Sequence, residues 1–251
     1  MHFIYLLLIC FSLSLFAQER PPHIDAESWE QVAPFLLPAT HPLKPQLDAL
    51  FTNSSKRVIS SLSHLKERGF FFSGEPHTTH ILVLGHKNLK NWLIKAFTEE
   101  EEVDEVMNYT QRCKGAIATR KAIHLRKQHL LFAVPQKYIY VLEPVGTPGP
   151  FRKNFILVVE NMPIYTHAKN RKIWKKAGHN PKVLTAFFTI LTDVGLVDCG
   201  LIDNASWGRN GKINFIDTEH YHLWPVDYAK LNKYLDPKGR NYWHKLIESQ
   251  K

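Results

Sequence analysis

Apolar positions along this chain follow two periods, and the change between them marks its organisation. Between Pro45 and Arg68 the residues Leu47, Leu50, Phe51, Val58, Ile59, Leu62 and Leu65 recur at roughly helical spacing and Gly69 follows as a stop, which predicts a packing helix or a helical pair. Upstream, Glu19 to Pro45 holds six prolines, so an extended or turn-rich arm is expected, with at most a short helix around Ala26 to Val32. From His80 to Phe97 two apolar runs, I-L-V-L and W-L-I-K-A-F, are joined by G-H-K-N-L-K-N, the composition of a hairpin. A helix is predicted over Val103 to Leu125. The acidic run Glu99 to Glu102 before it reads as a solvated helix start, where carboxylates meet the positive end of the dipole. Leu130 to Glu143 gives two short strands parted by Pro135, and Phe155 to Val159 gives a buried strand ending in Glu160-Asn161-Met162-Pro163. Pro181 opens a helix through Val183, Leu184, Phe187, Phe188 and Leu191 that ends near Gly195. Helices and strands both recur along the chain, the mixture of an α+β fold.

The stretch Asp198 to Asp217, D-C-G-L-I-D-N-A-S-W-G-R-N-G-K-I-N-F-I-D, carries the strongest chemical signal. Asn210-Gly211 suits the positive φ angles of a tight turn, and Ile213 and Phe215 continue as a strand, so Asn204 and Asp217 stand at the outer ends of one hairpin. An amide oxygen and a carboxylate brought side by side suit a Mg²⁺ ion on a nucleotide phosphate.

The interval of thirteen residues from Asn204 to Asp217 is similar to that in the protein-kinase-like superfamily, which includes protein kinases and aminoglycoside phosphotransferases. There a catalytic-loop Asn is followed by a short hairpin and the metal-binding Asp. The resemblance covers roughly Ile81 to His222 and implies a compact two-lobed fold, a small antiparallel sheet lobe followed by a short helical lobe. It implies ATP and Mg²⁺ as cofactors, with Asn204 and Asp217 on the metal and Asp198 as the acceptor-orienting base. W-L-I-K-A-F resembles the V-A-I-K strand, so Lys95 would reach the nucleotide phosphates. Glu105 is the candidate to hold that lysine from the following helix, and Glu160 and Met162 would lie at the adenine-binding hinge. The chain departs from the pattern at three places. Asp198 lies six residues before Asn204 instead of five, so either the loop has an extra residue or the base is missing. Thr218-Glu219-His220 follows Asp217, and no G-x-G-x-x-G segment lies upstream. A catalytically inactive kinase-like module that binds a protein or polyanionic partner is the alternative function. The acceptor, protein or small molecule, is not specified.

The implied organisation is a leader over 1–17, a Pro-rich arm and helical segment over 18–69, the sheet lobe over 70–162, and the helical part over 163–251. Met1 to Gln18 has no charged side chain and an apolar run of about fifteen residues, which fits a secretory signal peptide cut near Ala17 or, if uncleaved, a membrane anchor. Export to a periplasmic or extracellular space follows, where ATP is not at hand unless the protein is delivered into another cell. The formal charge of +9 favours anionic partners or surfaces, and Lys169 to Lys176 with Trp174 is either a polyanion contact or an exposed helix face. No specific nucleic-acid motif is present. Cys113 and Cys199 are too few for a disulfide scaffold and are either free or joined once. His220 and His222 near Asp217 and Glu219, and the pair His77 and His80, are alternative transition-metal donors that lack H-E-x-x-H spacing. Sequons begin at Asn53, Asn108 and Asn204.

Overall fold

A computed structural model describes residues 18–52, 56–73, 81–177 and 180–249. The expected leader, the sequon at Asn53 and the His77 and His80 pair lie outside them. Helix α1 (Ala26–Val32) forms where Asp25 accepts from Ser28 N and caps the first turn. Helices α2 (Lys44–Phe51) and α3 (Leu62–Glu67) resolve the helical stretch into a pair.

The fold is α+β, with an antiparallel five-stranded sheet as its larger sheet. Strands β1 (Phe70–Phe72), β2 (Leu82–His86) and β3 (Trp92–Ala96) come first. Then follow helix α4 (Glu105–Leu125), β4 (Phe132–Ala133), β5 (Lys137–Val141) and β6 (Phe155–Glu160). The sheet order is β1-β2-β3-β6-β5. Alternation along the strands sends Leu82, Leu84, Ile94, Ile156 and Val158 to one face, against Leu47 and Leu65 of the helical pair. Ile139, Leu157 and Val159 go to the other face, against Tyr109 and Cys113 of α4. Lys95 stands opposite Leu157 in the ladder and Lys137 opposite Val159, so both lysines project toward α4.

The second half holds α5 (His167–Ala177), α6 (Pro181–Val194), β7 (Ala205–Trp207), β8 (Ile213–Phe215) and α7 (Pro237–Glu248). The Asn180 side chain caps α6 at the Lys182 and Val183 amides, Pro181 begins it, and Gly195 closes it at φ 66°, in the left-handed region where a side chain would be strained. Its apolar face packs Phe187 against Trp174, Phe215 and Trp243. Trp174 is therefore core, donating from Nε1 to Ala205 O at 3.2 Å, and only the basic residues of α5 remain exposed to meet an anion. Strand β4 joins the smaller sheet, parallel to β8, and so ties the chain after α4 to the hairpin.

One further reading is corrected and one left open by the sequence is decided. Glu99 is not part of a solvated helix start: its side chain is fully buried and α4 begins only at Glu105. Cys113 and Cys199 are both free and buried. Among the described residues no helix is long and apolar enough to cross a membrane.

Candidate functional site

The β7–β8 hairpin builds the site from its turn outward. Gly211 adopts φ 76° in the turn, Gly208 N donates to Lys212 O at 2.8 Å, and Ser206 faces Asn214 across the ladder. The pairing runs on past the strands, with Ile216 N donating to Asn204 O at 2.7 Å, so Asn204 lies beside the residues leading into Asp217. Asn204 Nδ2 donates to Asp198 O at 3.2 Å, and Cys199 Sγ donates to Asp217 O at 3.2 Å. The six-residue interval thus still returns Asp198 to Asn204, while Asp203 turns outward to His167 Nδ1 at 2.7 Å. Asp198, Asn204, Asp217, Glu219 and His220 line one cavity of about 90 Å³.

Behind these carboxylates stands a wall of cations. Lys95 Nζ lies 3.1 Å from Asp217 Oδ2, a contact between the middle of the large sheet and the end of the hairpin. Arg112, from α4, places Nε 3.6 Å from Asp217 Oδ1 and a terminal nitrogen 2.5 Å from Glu219 Oε2. Asn108, one turn earlier, donates from Nδ2 to Glu219 Oε1 at 3.1 Å, which places this sequon inside the site. Lys137 Nζ donates to Thr218 Oγ1 at 3.0 Å. Helix α4 comes this close because residue 115 is glycine: a Cβ there would meet Thr218 O at 1.8 Å. The Lys95 and Arg112 side chains are 7% and 6% exposed, against 25% for Asp217, so the cations are sealed and the carboxylate faces the opening. Burial alone would raise the Asp217 carboxyl, but Lys95, Arg112 and Lys137 outweigh it and hold it well below the usual range. Burial pushes the Lys137 ammonium down to about 7, with Asp217 the attraction that opposes it.

Asp198 is clamped separately. Lys230 Nζ lies 2.6 Å from its Oδ1 and His220 Nδ1 lies 2.5 Å from its Oδ2. Partial burial opposes ionisation, yet these two partners keep the carboxyl below its ordinary value.

Other expected residues lie elsewhere. Glu105 does not hold Lys95. It sits in the first turn of α4, two turns from Arg112, and accepts from Asn154 N at 2.6 Å, while its Oε2 has no hydrogen-bond partner. Arg112 is the residue of this helix that reaches the Lys95 and Asp217 pair. Glu160 accepts from Gln136 N at 3.0 Å, and Met162 O accepts from Ile164 N at 2.8 Å. Neither lines the cavity, but Pro163 O accepts from Arg209 N at 2.7 Å, so this segment links the large sheet to the hairpin.

Burial raises the Glu105 carboxyl from 4.5 to about 8. The folded chain therefore keeps a proton that the unfolded chain loses, and Glu105 makes stability fall as pH rises through this window. Relative to Glu105→Gln, wild-type unfolding free energy should fall by up to about 1.4 kcal/mol per pH unit between pH 5 and 7. Urea titrations of both proteins at several pH values check this, and parallel profiles would count against a protonated Glu105.

Arg112 and Lys137 are not assigned to the site from sequence, and Glu219 and His220 enter there only as alternative metal donors. The available signal was a lysine at an inward position of an otherwise apolar strand and an arginine directly before Cys113 of the buried helix face. Asp198, Asn204, Asp217 and Glu219 line one cavity, and of these Asn204 and Asp217 are the amide oxygen and carboxylate that could hold Mg²⁺, which takes its remaining ligands from phosphate and water. Among the described residues no group of three or more His, Cys, Asp or Glu side chains is gathered as a metal site. No family model matches this chain, and no curated protein matches it.

Proposed function

We propose that the chain is a divergent, compact, two-lobed protein-kinase-like phosphotransferase that uses ATP and Mg²⁺. The observation that carries this reading is the 3.1 Å contact between Lys95 and Asp217, two residues 122 positions apart that the resemblance assigns to phosphate and metal. A five-stranded antiparallel sheet, a long helix after its third strand, and a hairpin-bearing helical part are also what the resemblance expects. When bound, Mg²⁺ neutralises charge on the transferring phosphoryl group. Asp217 and Asn204 would hold it, Lys95 would turn from Asp217 to the phosphates, and Asp198 stands on the acceptor side. Such catalysis is mainly positioning and electrostatics, so the sealed cations contribute by holding Asp217 ionised.

A second reading, an inactive kinase-like module for a protein or polyanion, is favoured by one observation: protein side chains already engage both oxygens of Asp217, from Lys95 and Arg112, and both of Asp198, from Lys230 and His220. Thermal unfolding with ATP separates the two. At a ligand concentration about 100 times Kd, binding adds about 2.7 kcal/mol. For a chain of this size that raises Tm by roughly 5–10 °C. The rise should require Mg²⁺ and shrink in Lys95→Met. No shift at millimolar ATP and Mg²⁺, with no phosphate release, would sink the enzyme reading and leave the binding module.

A further inference from the structure

We infer that His220, oriented by Asp198, is the group that takes the proton from the phosphoryl acceptor. This deepens the phosphotransferase reading and rests on it. The geometry begins with occupancy. Both oxygens of Asp198 already accept charged or ring N–H groups, Oδ1 from Lys230 at 2.6 Å and Oδ2 from His220 at 2.5 Å, so the carboxylate is committed to holding its neighbours. An ionised carboxylate can only accept, which makes Nδ1 of His220 the protonated nitrogen. In the neutral ring, Nε2 then carries the free lone pair, and among the described residues it makes no hydrogen bond. The ring is 53% exposed and lines the same cavity as Asn204, Asp217 and Glu219. A carboxylate fixing Nδ1–H while Nε2 faces the reacting groups is the arrangement that makes an imidazole an effective base.

Asp198 is held on one oxygen by Lys230 and on the other by His220, which lies three residues after Asp217. His220 Nε2 accepts the hydroxyl proton as the acceptor oxygen bonds to the terminal phosphorus of a nucleoside triphosphate. The bond from that phosphorus to the bridging oxygen breaks, and its electron pair leaves with the nucleoside diphosphate. The imidazolium so formed is held by Asp198, which acts as a positioning residue.

Two measurements test this. The ¹⁵N spectrum of the wild-type protein without ligand, assigned by the signal lost in His220→Ala, should show neutral His220 protonated on Nδ1 and bare on Nε2. A ring protonated on Nε2 would overturn the inference whatever the enzyme does. In the second, Mg²⁺-dependent phosphate release from ATP with water as acceptor should fall by roughly 10²-fold in His220→Ala. The ATP-dependent Tm shift should be retained, and added imidazole should restore part of the rate. His167→Ala, which removes the other His–Asp pair at 2.7 Å outside the cavity, should leave the rate unchanged. A wild-type rate in His220→Ala would overturn the inference alone and return the base to Asp198. A wild-type protein with neither Tm shift nor phosphate release would overturn the phosphotransferase reading and this inference with it.

Discussion

Replacing Arg57 by alanine should lower the unfolding free energy by about 3–5 kcal/mol, the cost of leaving a buried charge without its partner. Arg57 and Glu99 are 3% and 0% exposed, with Nε 2.6 Å from Oε1. The remaining guanidinium nitrogens donate to Glu143 O, at 3.0 Å, and to Lys153 O. Glu99 also accepts from Gly149 N at 2.8 Å and from Lys153 N at 3.2 Å. One ion pair therefore fastens the segment before α3, the connection from β3 to α4, and the loop between β5 and β6. Removing Arg57 strands Glu99 with two amides and no cation. A natural domain has only about 5–15 kcal/mol in total, so the loss is a large fraction of stability. Urea unfolding measures it. The double variant Arg57→Met with Glu99→Leu should recover part of the loss, because no buried charge is then left alone. A change below about 1 kcal/mol in Arg57→Ala would show that water reaches Glu99.

The sequence disclosed what is encoded locally and hid what depends on distant partners. Asn180-Pro181 and Gly195 bound α6 because capping, a fixed φ and a left-handed stop each act within one turn. Asn210-Gly211 marked the β7–β8 turn for the same reason, and a tight hairpin necessarily returns Asp217 to Asn204. Glu99 stands in a run of four acids that looks solvated on charge alone, which hides its burial. Its partner lies 42 residues upstream, outside any local pattern. Arg112 was visible only as one of several basic residues on α4, since Glu219 is 107 positions away. Strand β1, F-F-F, escaped notice because it shows no polar alternation, and Phe71 is in fact exposed.

Replacing Asp217 by alanine should abolish the Mg²⁺ dependence of ATP binding, because the metal would lose its carboxylate. The sealed cations give this variant a second, distinctive consequence. Lys95 and Arg112 would lose the carboxylate they share, and Lys137 would lose the attraction that opposes its neutralisation. Uncompensated buried charge is costly, so the variant should unfold at lower temperature than wild type. The same charge should attract a phosphate chain directly. ATP or pyrophosphate without metal should therefore stabilise Asp217→Ala more than it stabilises wild type, while added Mg²⁺ should make no difference to the variant. Titrating both proteins with each ligand, with and without Mg²⁺, reads out both effects. Unchanged Mg²⁺ dependence in a folded Asp217→Ala protein would remove Asp217 from the metal site. Loss of both the Mg²⁺-dependent and metal-free responses would mean that Lys95 and Arg112 serve only to hold the hairpin against α4.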